Sequence, residues 1–237
     1  MPSTSSPDGS GHLDYERLYR YRHRGVSQQA REATWREIGP FVHEAMGRPA
    51  RVLDPAAGRG EFIHSIDAEE RWFVDAVEFP EARRDPRVTV VIGDVREIDL
   101  PADHFGGVFA SNLLEHFTSQ DDVADFLTRM RGTLEPGGRI VVMGPNFRYC
   151  ARNYFDFADH TLALTHVAVE EHLYAAGFDV VRVVPRFLPF SFGGRLPPSP
   201  ALTRWYLRFP PAWRVLGRQF LLVGQRPATP APRAGLA

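Results

Sequence analysis

The sequence predicts an α/β protein built on a doubly wound, mainly parallel seven-stranded sheet. Three observations lead there. From Arg51 onward, short apolar runs alternate with helix-patterned segments, the rhythm of strand–helix–strand units. The first run, Val52-Leu53-Asp54, passes through Pro55-Ala56-Ala57-Gly58-Arg59-Gly60 toward Glu61-Phe62, as a strand–loop–helix turn does where small residues leave backbone bare. Two aromatic and polar segments, 146–164 and 185–217, interrupt the rhythm, and insertions after strand ends usually shape the site of such a sheet.

Each element has a local reason. Residues 1–12 are polar and rich in Ser, Gly and Pro, so disorder is expected there and at 228–237. Residues 13–49 read as an N-terminal helical cap. Within it Ser27 to Gly47 is helical, with Trp35, Ile38, Val42 and Met46 on one side, and Pro40 is expected to kink or split it. Arg51 to Asp54 is the first strand, with its helix from Arg59 onward; Trp72 to Glu78 is the second and Val88 to Ile92 the third. Gly106 to Ser111 is the fourth. Ser119 with Asp122 offers a capping box, and Val123, Phe126, Leu127, Met130 and Leu134 follow at helical spacing. Pro136-Gly137-Gly138 turns into a fifth strand, Arg139 to Met143. Thr165 caps a helix ending at Ala176, with Gly177 as its stop. Val180 to Val184 and Phe220 to Val223 close the sheet, so the main domain is expected to run over residues 50–227.

Composition narrows the function. The 237 residues are 43% hydrophobic and 24% charged, ordinary for a soluble domain. A net charge of -1 gives no overall pull toward nucleic acid, so none is expected as partner. All basic residues are arginine, and no acid follows Asp179, while Arg182, Arg186, Arg195, Arg204, Arg208, Arg214, Arg218, Arg226 and Arg233 do. That asymmetry points weakly to an anionic partner. The single Cys150 excludes a disulfide framework and multi-cysteine metal or iron–sulfur sites. Met1 to His12 lacks the pattern of a signal peptide, and no apolar run reaches membrane-spanning length. The expected location is cytoplasmic.

The glycine loop discriminates between cofactors. A dinucleotide fingerprint needs Gly at 56, 58 and 61, and this chain has Ala56, Gly58 and Glu61. The run instead resembles the first motif of class I S-adenosylmethionine (SAM)-dependent methyltransferases of the type 11 kind, with Asp54 ending the strand, Ala56 for the first glycine, and Gly58 and Gly60 in place. The later signs keep order and spacing. Glu78 resembles the acid that grips the ribose hydroxyls; Ile92-Gly93-Asp94-Val95 resembles the adenine turn. Asp94 would accept from the exocyclic amine and Val95 would pack on the ring. Ala110 to His116 resembles the segment lining the methionine end, with Asn112 in it, and Leu134 to Arg139 resembles the turn before strand five. Gly106 departs from the acid that usually opens strand four. Taken singly, each piece also fits a generic turn, a solvated Glu or an Asp in a loop. Together they imply the Rossmann-like SAM methyltransferase fold and SAM as cofactor.

Methyl transfer to a hydroxyl needs a base, whereas an amine or thiol can do without. Two candidates stand near strands four and five: His116, whose counterpart in many relatives is structural, and His160, in Tyr154-Phe155-Asp156-Phe157-Ala158-Asp159-His160. An adjacent Asp need not orient His160, so another carboxylate is a candidate. This insertion, with Phe187 to Phe190, resembles uncharacterised methyltransferases encoded beside glycosyltransferases in bacterial polysaccharide clusters. Asn146, Arg148 and Tyr149 are candidate acceptor contacts; His166 and His172 read as packing or surface residues. Ser111-Asn112-Leu113-Leu114 lacks the signature of enzymes methylating base amines, and Cys150 is misplaced for cytosine-carbon chemistry. No carboxylate cluster stands out, so no metal is expected.

Trp205, Tyr206, Phe209 and Trp213 interleave with Arg204, Arg208 and Arg214 around Pro210-Pro211. They read either as a surface for nucleotide sugars, polyprenyl-phosphate glycans or membrane headgroups, or as core aromatics with arginine stems outside. The reading reached is O-methylation of a sugar or other small polar metabolite, with a small-molecule or glycan acceptor and a peripheral membrane contact through that region. Its rivals are a C- or N-methyltransferase of secondary-metabolite or quinone type, and a non-catalytic SAM-binding protein. The sequence sets no oligomeric state.

Overall fold

The computed structural model describes residues 14–22, 24–25, 27–190 and 199–228. Both terminal tails expected to be disordered lie outside the described residues, apart from Ala228. In chain order the elements are α1 (Tyr15–Arg22), α2 (Gln28–Ala45), β1 (Arg51–Asp54), β2 (Glu70–Asp75), β3 (Val88–Ile92), β4 (Phe105–Ser111), a 3-10 turn (Leu114–His116), α3 (Gln120–Thr133), β5 (Leu134–Pro145), α4 (Phe147–Tyr154), α5 (His166–Ala175), β6 (Asp179–Val184), α6 (Pro200–Arg208), α7 (Pro210–Leu216) and β7 (Gln219–Gln225).

The strands form one seven-stranded sheet in the order β3-β2-β1-β4-β5-β7-β6. Neighbours from β3 to β5 pair parallel, and β7 runs antiparallel between β5 and β6. Successive strand residues point to opposite faces. Val52, Phe73, Phe109, Val141 and Leu221 pack with Trp35, Ile38 and Val42 of α2 and Trp213 of α7. Leu53, Val74, Val108, Ile140 and Leu222 pack with Phe126 and Met130 of α3 and Leu173 of α5. Both faces are therefore covered, which parallel strands require. A fully buried Leu53 or Phe109 contributes roughly 1.5–3 kcal/mol of transfer free energy.

The capping signals act as expected. Ser119 and Asp122 form a reciprocal capping box on α3, and Thr165 caps α5, which ends before Gly177 at φ +83°. Four expectations need correcting. α2 continues through Pro40 as one helix, because Pro40 and Arg36, whose carbonyl loses its partner, are both exposed to water. No α-helix follows β1: the Gly60 N–H donates to the Ala57 carbonyl at 2.7 Å and Ser65 N–H to Phe62 at 2.8 Å, and these short i→i+3 turns stem from positive φ at Gly58 and Gly60. β2 spans 70–75 rather than 72–78, because it pairs with β1 from Arg51↔Glu70 to Asp54↔Phe73 and with β3 up to Asp75↔Ile92. β5 begins at Leu134 and absorbs the Pro-Gly-Gly turn as a bulge, its register with β4 jumping between Phe105 and Gly107.

Gly106, the departure at the start of β4, has a packing cause. A Cβ there would sit 2.7 Å from the Pro49 ring. The 146–164 insertion contains α4, which the sequence reading left without an element.

Candidate functional site

The strand order reverses between β1 and β4, whose carboxyl ends, Asp54 and Ser111, sit side by side. Open α/β sheets bind ligands in the crevice at that point. The Ala57 N–H donates to the Val74 carbonyl at 3.0 Å, and the Gly58 N–H to Asp75 Oδ2 at 2.7 Å. Asp75 also accepts from the Val77 N–H at 2.9 Å through Oδ1, and its carbonyl accepts from Gly93. The Asp75 carboxylate at the end of β2 thus ties the loops after β1 and β2 together, and its backbone carbonyl holds the loop after β3. Burial raises its pKa, and the two backbone donors pull the other way.

Gly58 has φ +56°, and a Cβ built on it would meet nothing within 4 Å. Its backbone is bare toward open space. Gly60, at φ +75°, is different: a Cβ there would lie 2.6 Å from the His64 ring, so packing demands that glycine. Asp54 is 2% exposed, and its Oδ1 is buried without a partner. Burial, with the nearby charges of Asp75 and Glu61, holds its pKa well above the ordinary value. Ala56 between them is half-buried. An unpartnered buried oxygen and a bare glycine in one loop fit a polar ligand lying along the backbone.

Glu78 stands three residues past the end of β2, half exposed and paired with Arg83 Nε at 2.5 Å. Asp94 follows β3. Its Oδ1 accepts from the Arg96 N–H at 2.9 Å, and its carboxylate pairs with the Arg96 guanidinium, which lowers its pKa. A carboxylate has lone pairs to spare for a further donor. Val95 beside it is buried. Asn112 takes φ +49°, donates its N–H to the Met143 carbonyl at 2.8 Å, and leaves its side chain exposed against Ser111 Oγ. Asn tolerates this left-handed conformation.

Beyond β4 and β5 a second cluster assembles. The chain leaves β5, runs through α4, and returns so that the Thr161 and Leu162 N–H groups donate to the Glu115 carbonyl at 2.9 and 3.1 Å. Thr161 Oγ1 donates to the Phe117 carbonyl and Tyr154 Oη to Leu162, both at 2.6 Å. This seam buries Glu115, and burial raises its pKa. His116 Nδ1 lies 2.8 Å from the Asp159 carbonyl and 3.6 Å from Asp159 Oδ2. Asp159 therefore orients His116 rather than its neighbour His160. Burial would raise the pKa of Asp159, but the Arg22 hydrogen bond and the His116 charge keep it below the ordinary value.

His160 stacks on Phe157 at 4.9 Å between ring centroids, with Tyr154 at 4.8 Å and His116 at 5.3 Å. Its Nδ1 is buried without a partner. Burial and the nearby His116 push its pKa down to about 4, so the ring is neutral at pH 7 and a weak proton acceptor. Asn146, a candidate acceptor contact, is instead fully buried; its Nδ2 is held by the Pro185 carbonyl at 2.8 Å and His166 Nδ1 at 2.9 Å. Tyr149 stacks against His166, and His172 pairs with Gln120. The sequence reading overlooked Asp75 and Glu115. Asp75 could have been found as the first acid after the apolar run Trp72-Phe73-Val74.

Residues 46–142 match the methyltransferase domain family Methyltransf_11. The matched stretch begins at the end of α2 and reaches into β5, so it contains the loop, the crevice and the turn after β4. No curated protein matches the chain. Solved structures resemble it at low identity. A SAM-dependent methyltransferase from Archaeoglobus fulgidus is 20% identical, with TM-score 0.63 over 90% of this chain and 100% of that one. The 1,6-didemethyltoxoflavin-N1-methyltransferase of Burkholderia thailandensis, solved with its substrate and S-adenosylhomocysteine, is 24% identical, with TM-score 0.58 over 94% and 93%. The [4+2]-cyclase SpnF is 18% identical, with TM-score 0.58 over 87% and 84%. The fold is the Rossmann-like fold of SAM-dependent methyltransferases. SpnF illustrates that this fold does not by itself fix the reaction.

Proposed function

We propose that the protein is a SAM-dependent methyltransferase acting on a hydroxyl of a sugar or other small polar metabolite. The observation that carries the cofactor reading is the bare backbone of Gly58, bracketed at the strand ends by Asp54 and Asp75. The family match over the same loop supports it. When bound, SAM supplies an electrophilic methyl group on a sulfonium that leaves as a neutral thioether. The chain's own part is positional. Asp75 holds the loop and stands where ribose hydroxyls can donate, with Glu78 further out. Asp94 offers an acceptor to an exocyclic amine, Val95 an apolar surface to a ring, and Asn112 a polar side chain beyond β4.

On the acceptor side, half-buried Phe157 and Phe190 stand beside His160 and offer faces for a sugar ring, with buried Tyr154 packed against the same imidazole. His160, through its unpartnered Nδ1, is the group to receive a hydroxyl proton, with His116 second because its Nδ1 is engaged. A lipid-linked acceptor gains support from α6 and α7. Trp205, Phe209, Val215 and Leu216 are 45–72% exposed there beside Arg208 and Arg214, while Tyr206 and Trp213 join the core. Contact with a headgroup layer uses such a surface.

A second reading, N- or C-methylation, draws on the low basicity of His160, since an amine acceptor needs no base. The test uses the purified chain with isotopically labelled methyl-SAM in an extract containing nucleotide sugars and lipid-linked glycans. Label on oxygen of the sugar fraction is expected. Label on nitrogen or carbon selects the second reading, and absence of SAM binding removes both.

A further inference from the structure

Glu115, His116 and His160 each bring one ligand atom within 4.8 Å of the other two. We propose that these three residues form a site for a divalent transition-metal ion of the zinc type, with one coordination position left open toward the acceptor. Two imidazoles and a carboxylate are the donor set of open catalytic zinc centres, whereas magnesium prefers oxygen alone.

The surroundings of each donor agree. A metal-bound imidazole normally donates its other ring N–H to a carbonyl or carboxylate. His116 Nδ1 does so to the Asp159 carbonyl at 2.8 Å, which leaves Nε2 to the ion. His160 Nδ1 is buried and unpartnered, with the Tyr154 ring 4.8 Å away between centroids. The free lone pair on His160 is therefore Nδ1. Glu115 is 3% exposed; burial raises its pKa against the pull of the nearby His116 and Arg22 charges, and among the described residues no salt bridge or hydrogen bond from another residue engages its carboxylate. A bound cation would offset the cost of burying that charge. The return from α4 that pins Thr161 and Leu162 to the Glu115 carbonyl holds His160 against the turn bearing the other two donors. A tetrahedral ion with bonds near 2.1 Å sets its ligands roughly 3.4 Å apart, so binding would draw the donor atoms, now within 4.8 Å of one another, closer together.

The ion would deepen the methyl-transfer reading, on which this part of the inference rests. With the ion bound, His160 is a ligand rather than the base, and a hydroxyl in the open position would be acidified and pass its proton to water. Metal binding itself does not depend on that reading.

The experiment titrates chelator-stripped, full-length protein with ZnCl2 and separately with MgCl2 by calorimetry, without SAM. One zinc per chain and no saturable magnesium are expected. His116→Ala, His160→Ala and Glu115→Gln should each weaken zinc more than the roughly 10–100-fold caused by losing an outer-shell partner. His104→Ala, a histidine paired with Glu70 outside the cluster, should leave zinc affinity unchanged. Wild-type zinc affinity in the cluster variants overturns the proposal. Should the variants misfold, CoCl2 added to the wild type decides: visible ligand-field bands of a four-coordinate ion support the site, and a spectrum of hydrated cobalt overturns it. SAM binding by the same stripped protein is measured separately, so failure of the metal site and failure of the cofactor reading are distinct results.

Discussion

Between Asp54 and Gly60 a ligand-facing loop is made by seven consecutive residues, whereas Glu115, His116 and His160 meet only because α4 and its return fold back onto the turn after β4. The first region depends on backbone: a positive φ at Gly58 with open space where a Cβ would stand, and Asp75 holding the loops after β1 and β2 by its carboxylate and the loop after β3 by its carbonyl. The second depends on side chains, a buried Glu115 and two half-buried histidines beside aromatic rings. Backbone sites tolerate change of side chains but not of Cβ; side-chain sites behave in the opposite way. On the proposed reading, the contrast separates cofactor binding, which a fold can supply, from the choice of acceptor, which it cannot.

The sharpest way to break the comparison is at Asp75. Asp75→Ala removes both charge-assisted bonds that hold the loop, each worth about 1.5–3 kcal/mol. SAM affinity by calorimetry should fall on the order of 100-fold or more. Glu78→Ala, at an exposed pair with Arg83, should change it by less than about threefold. The reverse ranking would return the ribose role to Glu78.

Gly58→Ala comes next. Its Cβ meets no protein atom, so stability should drop only by the roughly 1–2 kcal/mol of left-handed strain. A larger loss of SAM affinity than of stability marks the ligand's path; equal small losses would empty the loop of function.

Asp54→Asn tests the buried acid. A carboxyl whose folded pKa is raised adds stability below its unfolded value, and that stability is lost as pH rises through the folded value. At neutral pH Asp54 is therefore destabilising. The Asn variant should melt higher by about 2–4 °C per kcal/mol gained, the gap closing as pH falls through the raised folded pKa and fully closed near the ordinary value of 3.8. An unchanged gap across that range contradicts the assignment. Smallest is Ser119→Ala, which deletes one half of the α3 capping box and should cost about 1 kcal/mol in chemical denaturation without touching SAM affinity.

How much was legible follows the same division. The strands, the α3 capping box and the α5 stop could be read because apolar spacing and cap residues act locally. The loop after β1 was readable for the same reason, since Asp54, Gly58 and Gly60 lie within seven consecutive residues, although the α-helix expected from Arg59 does not form. Pro40 misled because its local penalty is met by water on the outer face of α2. The Asp159–His116 contact and the Glu115 cluster were hidden, because no pattern along the chain announces which carboxylate a returning loop will bring to which ring. Adjacency of Asp159 and His160 left the partner open, and the fold sets Asp159 against His116 instead.

The most direct test of the central claim is thermal melting of the full chain with SAM, with S-adenosylhomocysteine and with NAD. At a ligand concentration of 100 times Kd, stabilisation is about 2.7 kcal/mol, which for a chain of this size shifts the melting temperature by about 5–11 °C. The account predicts that shift with SAM and S-adenosylhomocysteine and none with NAD; a shift with NAD alone, or with none of the three, would contradict it.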